Sequence, residues 1–208
     1  MNSDDVLSQE LTPLFSTPLW VFGLQAAMRD AMNTGLLARL QGITQGREGQ
    51  TRQDLHEDPA FAELVNFIRY GAKAALGSLA MDQYPFEITA LWANIHYPGS
   101  YHQAHVHPNN FLGGTYYLQV AEGNNEIIFT DPRPAAVFMR PLPATQNGLN
   151  AFAVPQRVEP GQLVMFPAWL SHQVPQNESS EARITLSFNI MFSDFTTLSK
   201  PQWQPKID

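Results

Sequence analysis

Cysteine is absent from the 208 residues. That excludes disulfide frameworks, iron–sulfur clusters, thiol nucleophiles and cysteine-held zinc, so any metal must be held by His, Asp, Glu or backbone oxygens. Charge is scarce, at 15% of residues, and tilts acidic: 12 Lys and Arg against 19 Asp and Glu give a formal net charge of −7. Without a Lys/Arg run, this balance argues against nonspecific nucleic-acid binding and against docking on an anionic membrane. No stretch approaches the ~20 apolar residues of a membrane span. The opening MNSDDVLSQELTPLF carries acids where a signal peptide needs a basic segment and then an apolar run, so the expected compartment is the cytoplasm. There is no internal repeat and no low-complexity segment. Nor is there a G-x-S-x-G elbow, a Walker-type loop or a dinucleotide fingerprint, which leaves serine-hydrolase and nucleotide-dependent chemistry without an anchor.

What is present reads as one domain over 1–208, with a helical buttress at 1–85, a β core at 86–195 and a tail at 196–208. Leu24, Met28, Met32, Leu36 or Leu37 and Leu40 recur at three-to-four-residue spacing, predicting an amphipathic helix over 24–40. A second helix is predicted from the capping pair Asp58-Pro59 through Phe61, Leu64, Val65, Ile68 and Ala72 toward Leu79, with a polar loop over 42–53 between the two. Runs rich in aromatic and β-branched residues predict strands at 86–97, 112–120, 126–130, 162–166 and 183–192, separated by turn residues such as Pro98-Gly99 and Pro160-Gly161. Eight of the sixteen prolines fall between 132 and 175, where long irregular connections are expected. Helices followed by many short strands point to an α+β fold, or to an all-β barrel or jelly roll with a helical buttress.

Four of the six histidines, His96, His102, His105 and His107, sit within twelve residues. His105 and His107 stand at i and i+2, a spacing that in a strand sends both side chains to one face. His102 is out of phase with that face and reads as a loop residue or one behind it, and His96 as exposed or packed; His56 receives no role. Far along the chain, His172 follows an apolar strand. Eleven residues later Arg183 opens a strand with strict alternation, with Arg183, Thr185, Ser187 and Asn189 on one face and Ile184, Leu186, Phe188 and Ile190 on the other. Such a polar face is most often in water. The rival reading lines an interior cavity with it and poises the arginine to grip a carboxylate. Whether Asn94, Asn109 and Asn189 lie inside a barrel or at the surface stays open, and Trp92, Phe166 and Trp169 read first as core aromatics.

H-x-H, a distal His172 and Arg183 after ten intervening residues together resemble the iron(II)/2-oxoglutarate-dependent oxygenases, whose pattern is H-x-D/E…H…R/K on a double-stranded β-helix, a cupin-like jelly roll. HYPGSYHQAH resembles the prolyl-hydroxylase-like branch, in which a Tyr-x-Gly turn precedes the first ligand, and GTYYLQV resembles that branch's Tyr-Tyr-Leu strand. The opening TPLW followed by helices is similar to an uncharacterised bacterial group within the superfamily. The likeness spans roughly 86–192. It implies a mainly β fold with N-terminal helices packed against the jelly roll. It also implies that Fe(II) is held by His105 and His172, and that Arg183 clasps the far carboxylate of 2-oxoglutarate with Tyr97, Tyr117 and Thr185 as further cosubstrate contacts. The activity implied is O2-dependent hydroxylation of a substrate, a small molecule or a protein side chain, with release of succinate and CO2.

One position departs from the pattern: where the family carries a carboxylate, this chain has His107. Three candidates complete the metal site: His107 itself, Asp131 at the end of another predicted strand, or water beside two histidines. Three histidines alone would also suit a cupin-like metal dioxygenase or isomerase that uses no 2-oxoglutarate, although such an enzyme has no need of Arg183. A non-enzymatic jelly roll binding a sugar, metal or partner protein is the third reading. For assembly the expectation leans to a C2 homodimer, the commonest soluble form.

Overall fold

Helix α1 (Ala26–Thr44) and helix α2 (Ala62–Ser78) bury the stripes their spacing requires: Met32, Leu36 and Leu40 on α1, and Leu64, Ile68, Ala72, Ala75 and Leu76 on α2. This computed structural model describes residues 10–133 and 141–195. The second helix starts where Asp58-Pro59 predicts. The Asp58 carboxylate accepts the Ala60 N–H at 3.0 Å, and the first turn, Pro59–Phe61, is a 3-10 turn that leads into α2. Helix α1 continues four residues past the expected end, into what reads as loop.

The strands are β1 (Trp20–Gly23), β2 (Gly49–Gln50), β3 (Phe86–His96), β4 (His102–His105), β5 (Leu112–Gln119), β6 (Glu126–Thr130), β7 (Ala153–Arg157), β8 (Gln162–Pro167), β9 (His172–Val174) and β10 (Arg183–Phe192). They form two antiparallel sheets, one in the order β1-β8-β5-β10-β3-β2 and one in the order β4-β9-β6-β7. The five strands predicted from apolar runs are all present. Strands β1, β2, β4 and β9, of two to four residues, escaped that reading, as did β7, which is as long as β6 but carries Pro155 and accordingly sits at a sheet edge, where a missing N–H is tolerated.

Two apolar clusters hold these layers together. The larger joins the helices to one face of the six-stranded sheet, through Leu36, Leu40, Leu64 and Ile68 against Leu91, Leu163, Leu186 and Phe188. It therefore includes residues on both sides of the expected 85/86 boundary, while the expected tail, 196–208, lies outside the described residues. Gly71 marks the closest approach of α2: a Cβ there would stand 3.0 Å from Leu163 Cδ2 and from Met165 Cε. The smaller cluster, with Tyr117, Val164 and Phe166 from the six-stranded sheet and Ile127 and Phe129 from the other, fills the space between the two sheets. Both faces of the six-stranded sheet are thus covered, and the polar face of β10 points into the space between sheets instead of into water. Two antiparallel sheets closed face to face make the jelly roll. Among the described residues, no helix is long and apolar enough to cross a membrane.

Candidate metal centre

The short strands carry the histidines. In the β4–β9 pair, His105 at the end of β4 lies directly opposite His172 at the start of β9, and their ring centroids are 4.4 Å apart. His107 lies two residues beyond β4, where its N–H donates to Ala168 O at 2.8 Å and so keeps the chain beside the sheet. Its ring centroid is 5.3 Å from that of His105 and 5.1 Å from that of His172. Ligand-capable atoms of the three residues all lie within 4.8 Å of one another. For comparison, two imidazole nitrogens bound at ~2.1 Å and at right angles to one divalent ion are ~3.0 Å apart; His107 Nε2 and His172 Nε2 stand at 3.3 Å.

The tautomers are set by the neighbours. His105 Nδ1 donates to Gln103 O at 2.8 Å and His172 Nδ1 to Leu170 O at 2.9 Å. His107 Nδ1 donates to Asn189 Oδ1. A carbonyl oxygen only accepts, so each Nδ1 keeps its hydrogen and each neutral ring offers its lone pair at Nε2. Burial favours the neutral form of two of the rings: it pushes the His172 pKa down to about 3, and it lowers that of His107 despite the opposing bond to Asn189. Two bare, uncharged nitrogens facing each other at 3.3 Å repel unless a cation stands between them.

Deeper in the same pocket lies Arg183, 2% exposed. One Nη1 hydrogen goes to Glu126 O at 2.9 Å, whereas Nε has no acceptor. The guanidinium carbon lies 5.5 Å from the centroid of the Tyr117 ring, whose buried hydroxyl feels the arginine's charge without a hydrogen bond of good geometry; burial pushes the Tyr117 pKa up to about 12, and the arginine opposes that rise. His96, paired with Arg183 across β10 and β3, has a third unpartnered buried atom, Nδ1. A buried guanidinium Nε without an acceptor, beside the Tyr117 hydroxyl and the unpartnered His96 Nδ1, costs free energy as it stands and fits one carboxylate. Thr185 lies on the same face and receives the Asn94 amide at 3.4 Å; Asn94 also donates to Ser187 at 3.0 Å and accepts from Trp92 Nε1 at 3.1 Å.

The structure brings together His105, His107, His172, Arg183 and Thr185, with Tyr117 against the arginine. It does not bring Tyr97. Trp92, Asn94 and His96 face the pocket, so the alternation of β3 turns Tyr97 away, and its hydroxyl donates to Gly46 O at 2.5 Å outside the pocket. Asp131 is also elsewhere: it accepts Arg133 Nε at 2.9 Å and Nη2 at 2.8 Å and is not among the three residues that could share an ion. His96 and His102, set aside in the sequence, both line the pocket. A register shift between His102 and His105 restores the phase that strict alternation denies His102, so that its ring stacks on that of His105 at 4.3 Å. Burial, with help from the neighbouring histidines, pushes the His102 pKa down to about 4.

Residues 90–189 match the model of the family described as "Putative 2OG-Fe(II) oxygenase". No curated protein matches the sequence. Among solved structures, the α-ketoglutarate-dependent non-haem epimerase SnoN from nogalamycin biosynthesis shares 14% identity and a TM-score of 0.61, over 85% of this chain and 77% of that one. HygX from Streptomyces hygroscopicus, with nickel and 2-oxoglutarate bound, shares 12% identity and a TM-score of 0.57 over 86% and 84%. A prolyl-4-hydroxylase from Pseudomonas putida shares 13% identity and a TM-score of 0.57 over 86% and 95%. At these identities the likeness is one of fold, the double-stranded β-helix.

Proposed function

We propose that the chain, whose residues 90–189 match the model of the putative 2OG-Fe(II) oxygenases, is a 2-oxoglutarate-dependent non-haem iron oxygenase that hydroxylates its substrate at a three-histidine Fe(II) centre. The observation that carries this reading is the convergence of three histidine ligand atoms within 4.8 Å of one another, in the same pocket as a buried arginine whose Nε lacks an acceptor.

In this reading His105, His107 and His172 would hold Fe(II) as neutral nitrogen ligands. Arg183 grips the far carboxylate of 2-oxoglutarate in charge-assisted hydrogen bonds, strengthened by the low dielectric of the space between the sheets. The Tyr117 hydroxyl, Thr185 and His96 surround that carboxylate with uncharged groups. When bound, iron and the keto acid would supply the oxidation, with 2-oxoglutarate and O2 giving succinate and CO2 while the second oxygen atom goes to a C–H bond of the substrate. Phe166 and Phe129 wall the metal end and exclude water; the ring centroid of Phe166 is 4.5 Å from that of His172.

The first test is an anaerobic titration of the Fe(II)-loaded protein with 2-oxoglutarate, followed by the visible charge-transfer band of the chelated keto acid. A band that saturates at one equivalent and weakens in Arg183→Ala is expected. Iron uptake without a band would move the site to the cupin-like reading, which the missing carboxylate ligand favours; no iron uptake would leave a binding scaffold. Hydroxylation is tested by product mass. A product one oxygen heavier than the substrate is expected, and one of unchanged composition, as an epimerisation leaves, would overturn it.

A further inference from the structure

We propose that Asn189 is the positioning residue that makes His107 a metal ligand, supplying through a side chain the tautomer lock that His105 and His172 take from the main chain. The inference rests on the three-histidine reading above and deepens it.

A carboxylate offers lone pairs on both oxygens and binds a metal without preparation. An imidazole offers one lone pair, at whichever nitrogen lacks hydrogen, so a histidine in a carboxylate's place needs a partner to choose that nitrogen. His105 and His172 find theirs two residues back, at Gln103 O and Leu170 O. His107 instead has its Nδ1 on Asn189 Oδ1, 82 positions away on the pocket face of β10. The surroundings are built for that pairing. Asn189 is paired with Gly113 across β10 and β5, and the β10–β3 register shifts immediately after Asn189. At Gly113 a Cβ would stand 3.1 Å from Phe166 Cε2 and 3.4 Å from His107 Nδ1. A Cβ there would crowd Phe166 and come into contact with the imidazole, so the missing Cβ and the amide acceptor together form a cradle for one ring orientation. Because the acceptor is an amide, His107 remains an uncharged ligand; a carboxylate in the same place would make it a more basic one.

The test uses the full-length protein with Co(II) as the probe, reading affinity by calorimetry and coordination by the visible ligand-field spectrum. In Asn189→Leu we expect a ~10–100-fold loss of affinity, the range for removal of such an outer partner, with an altered spectrum. Asn189→Ala carries the same expectation should the leucine variant not fold. Asn189→Asp should restore affinity to at least the wild-type level with shifted bands, because it keeps the acceptor and adds charge. In a His107→Ala background, removal of the amide should have no further effect. Wild-type affinity and spectrum in the leucine or alanine variant would overturn the proposal, and so would equal damage from leucine and aspartate, which would mean mere packing. If the wild type takes up no Co(II), or if His172→Ala binds it as tightly, the three-histidine reading itself fails, a result distinct from these.

Discussion

The two faces of β10 share one backbone and ten residues but have opposite duties. On one side Leu186, Phe188 and Ile190 join the helices in a dry apolar cluster; on the other Arg183, Thr185, Ser187 and Asn189 meet the pocket that holds the histidines. The first face stabilises the fold by burying carbon. The second keeps polar groups buried and partly unpaired, which a stable core avoids and a ligand site requires.

Substitutions on each face should therefore fail differently. The largest effect on stability belongs to the apolar side: Phe188→Ala removes a fully buried ring and should cost about 3–5 kcal/mol in a denaturant titration. Metal stoichiometry in the folded fraction should stay that of the wild type; loss of metal at equal foldedness would show that the faces are not separable. On the polar side, Arg183→Ala should leave Co(II) or Fe(II) affinity intact and weaken 2-oxoglutarate binding on the order of 10–100-fold, as loss of charged hydrogen bonds implies. Unchanged 2-oxoglutarate affinity would mean that this face does not bind the cosubstrate.

Acid should act through the pocket as well. The His172 pKa, about 3 in the folded protein, lies below its ordinary value of 6.5, so between the two the unfolded chain binds the proton that the folded chain refuses. Stability of the metal-free protein is then full above pH 6.5 and falls as the pH drops toward 3. Near pH 5 the slope contributed by this residue is on the order of 1 kcal/mol per pH unit. Urea midpoints between pH 7 and 5 measure it, before most carboxylates titrate, and His172→Asn should lower the slope by this residue's share, leaving that of the other buried histidines such as His102; an unchanged slope in that variant would assign the acid sensitivity elsewhere. The smallest effect separates two tyrosines. Tyr117→Phe should weaken 2-oxoglutarate binding by ~2–10-fold, the worth of a neutral hydrogen bond, whereas Tyr97→Phe should leave it unchanged, since that hydroxyl serves Gly46 outside the pocket.

The tyrosine pair also shows where reading the chain reached its limit. Tyr97 and Tyr117 match the family pattern equally well, but β3 presents His96 to the pocket, and one residue of phase moves Tyr97 to the other side. His102 is the reverse case: its three-residue offset from His105 excludes it from a shared face only if the strand is regular, and the shift within β4 makes it a stacked neighbour. Asn189 could be placed on a face by alternation, but no pattern indicates that its amide meets a ring 82 positions away.

The helices, five of the ten strands, the Asp58 cap and the grouping of His105, His107, His172 and Arg183 in one pocket are legible in the linear order of residues. Periods of 3.6 and 2, caps and motif spacings arise from backbone geometry over a few neighbours, and they leave their mark wherever the segment ends up. Packing assigned the rest: the polar face of β10 became a pocket because helices cover one side of its sheet and a second sheet covers the other. It also chose His96 over Tyr97, restored His102 through a bulge and gave His107 its partner. Each of those outcomes depends on which distant segment arrives to exclude water or to accept a hydrogen, a condition that no local run of residues contains.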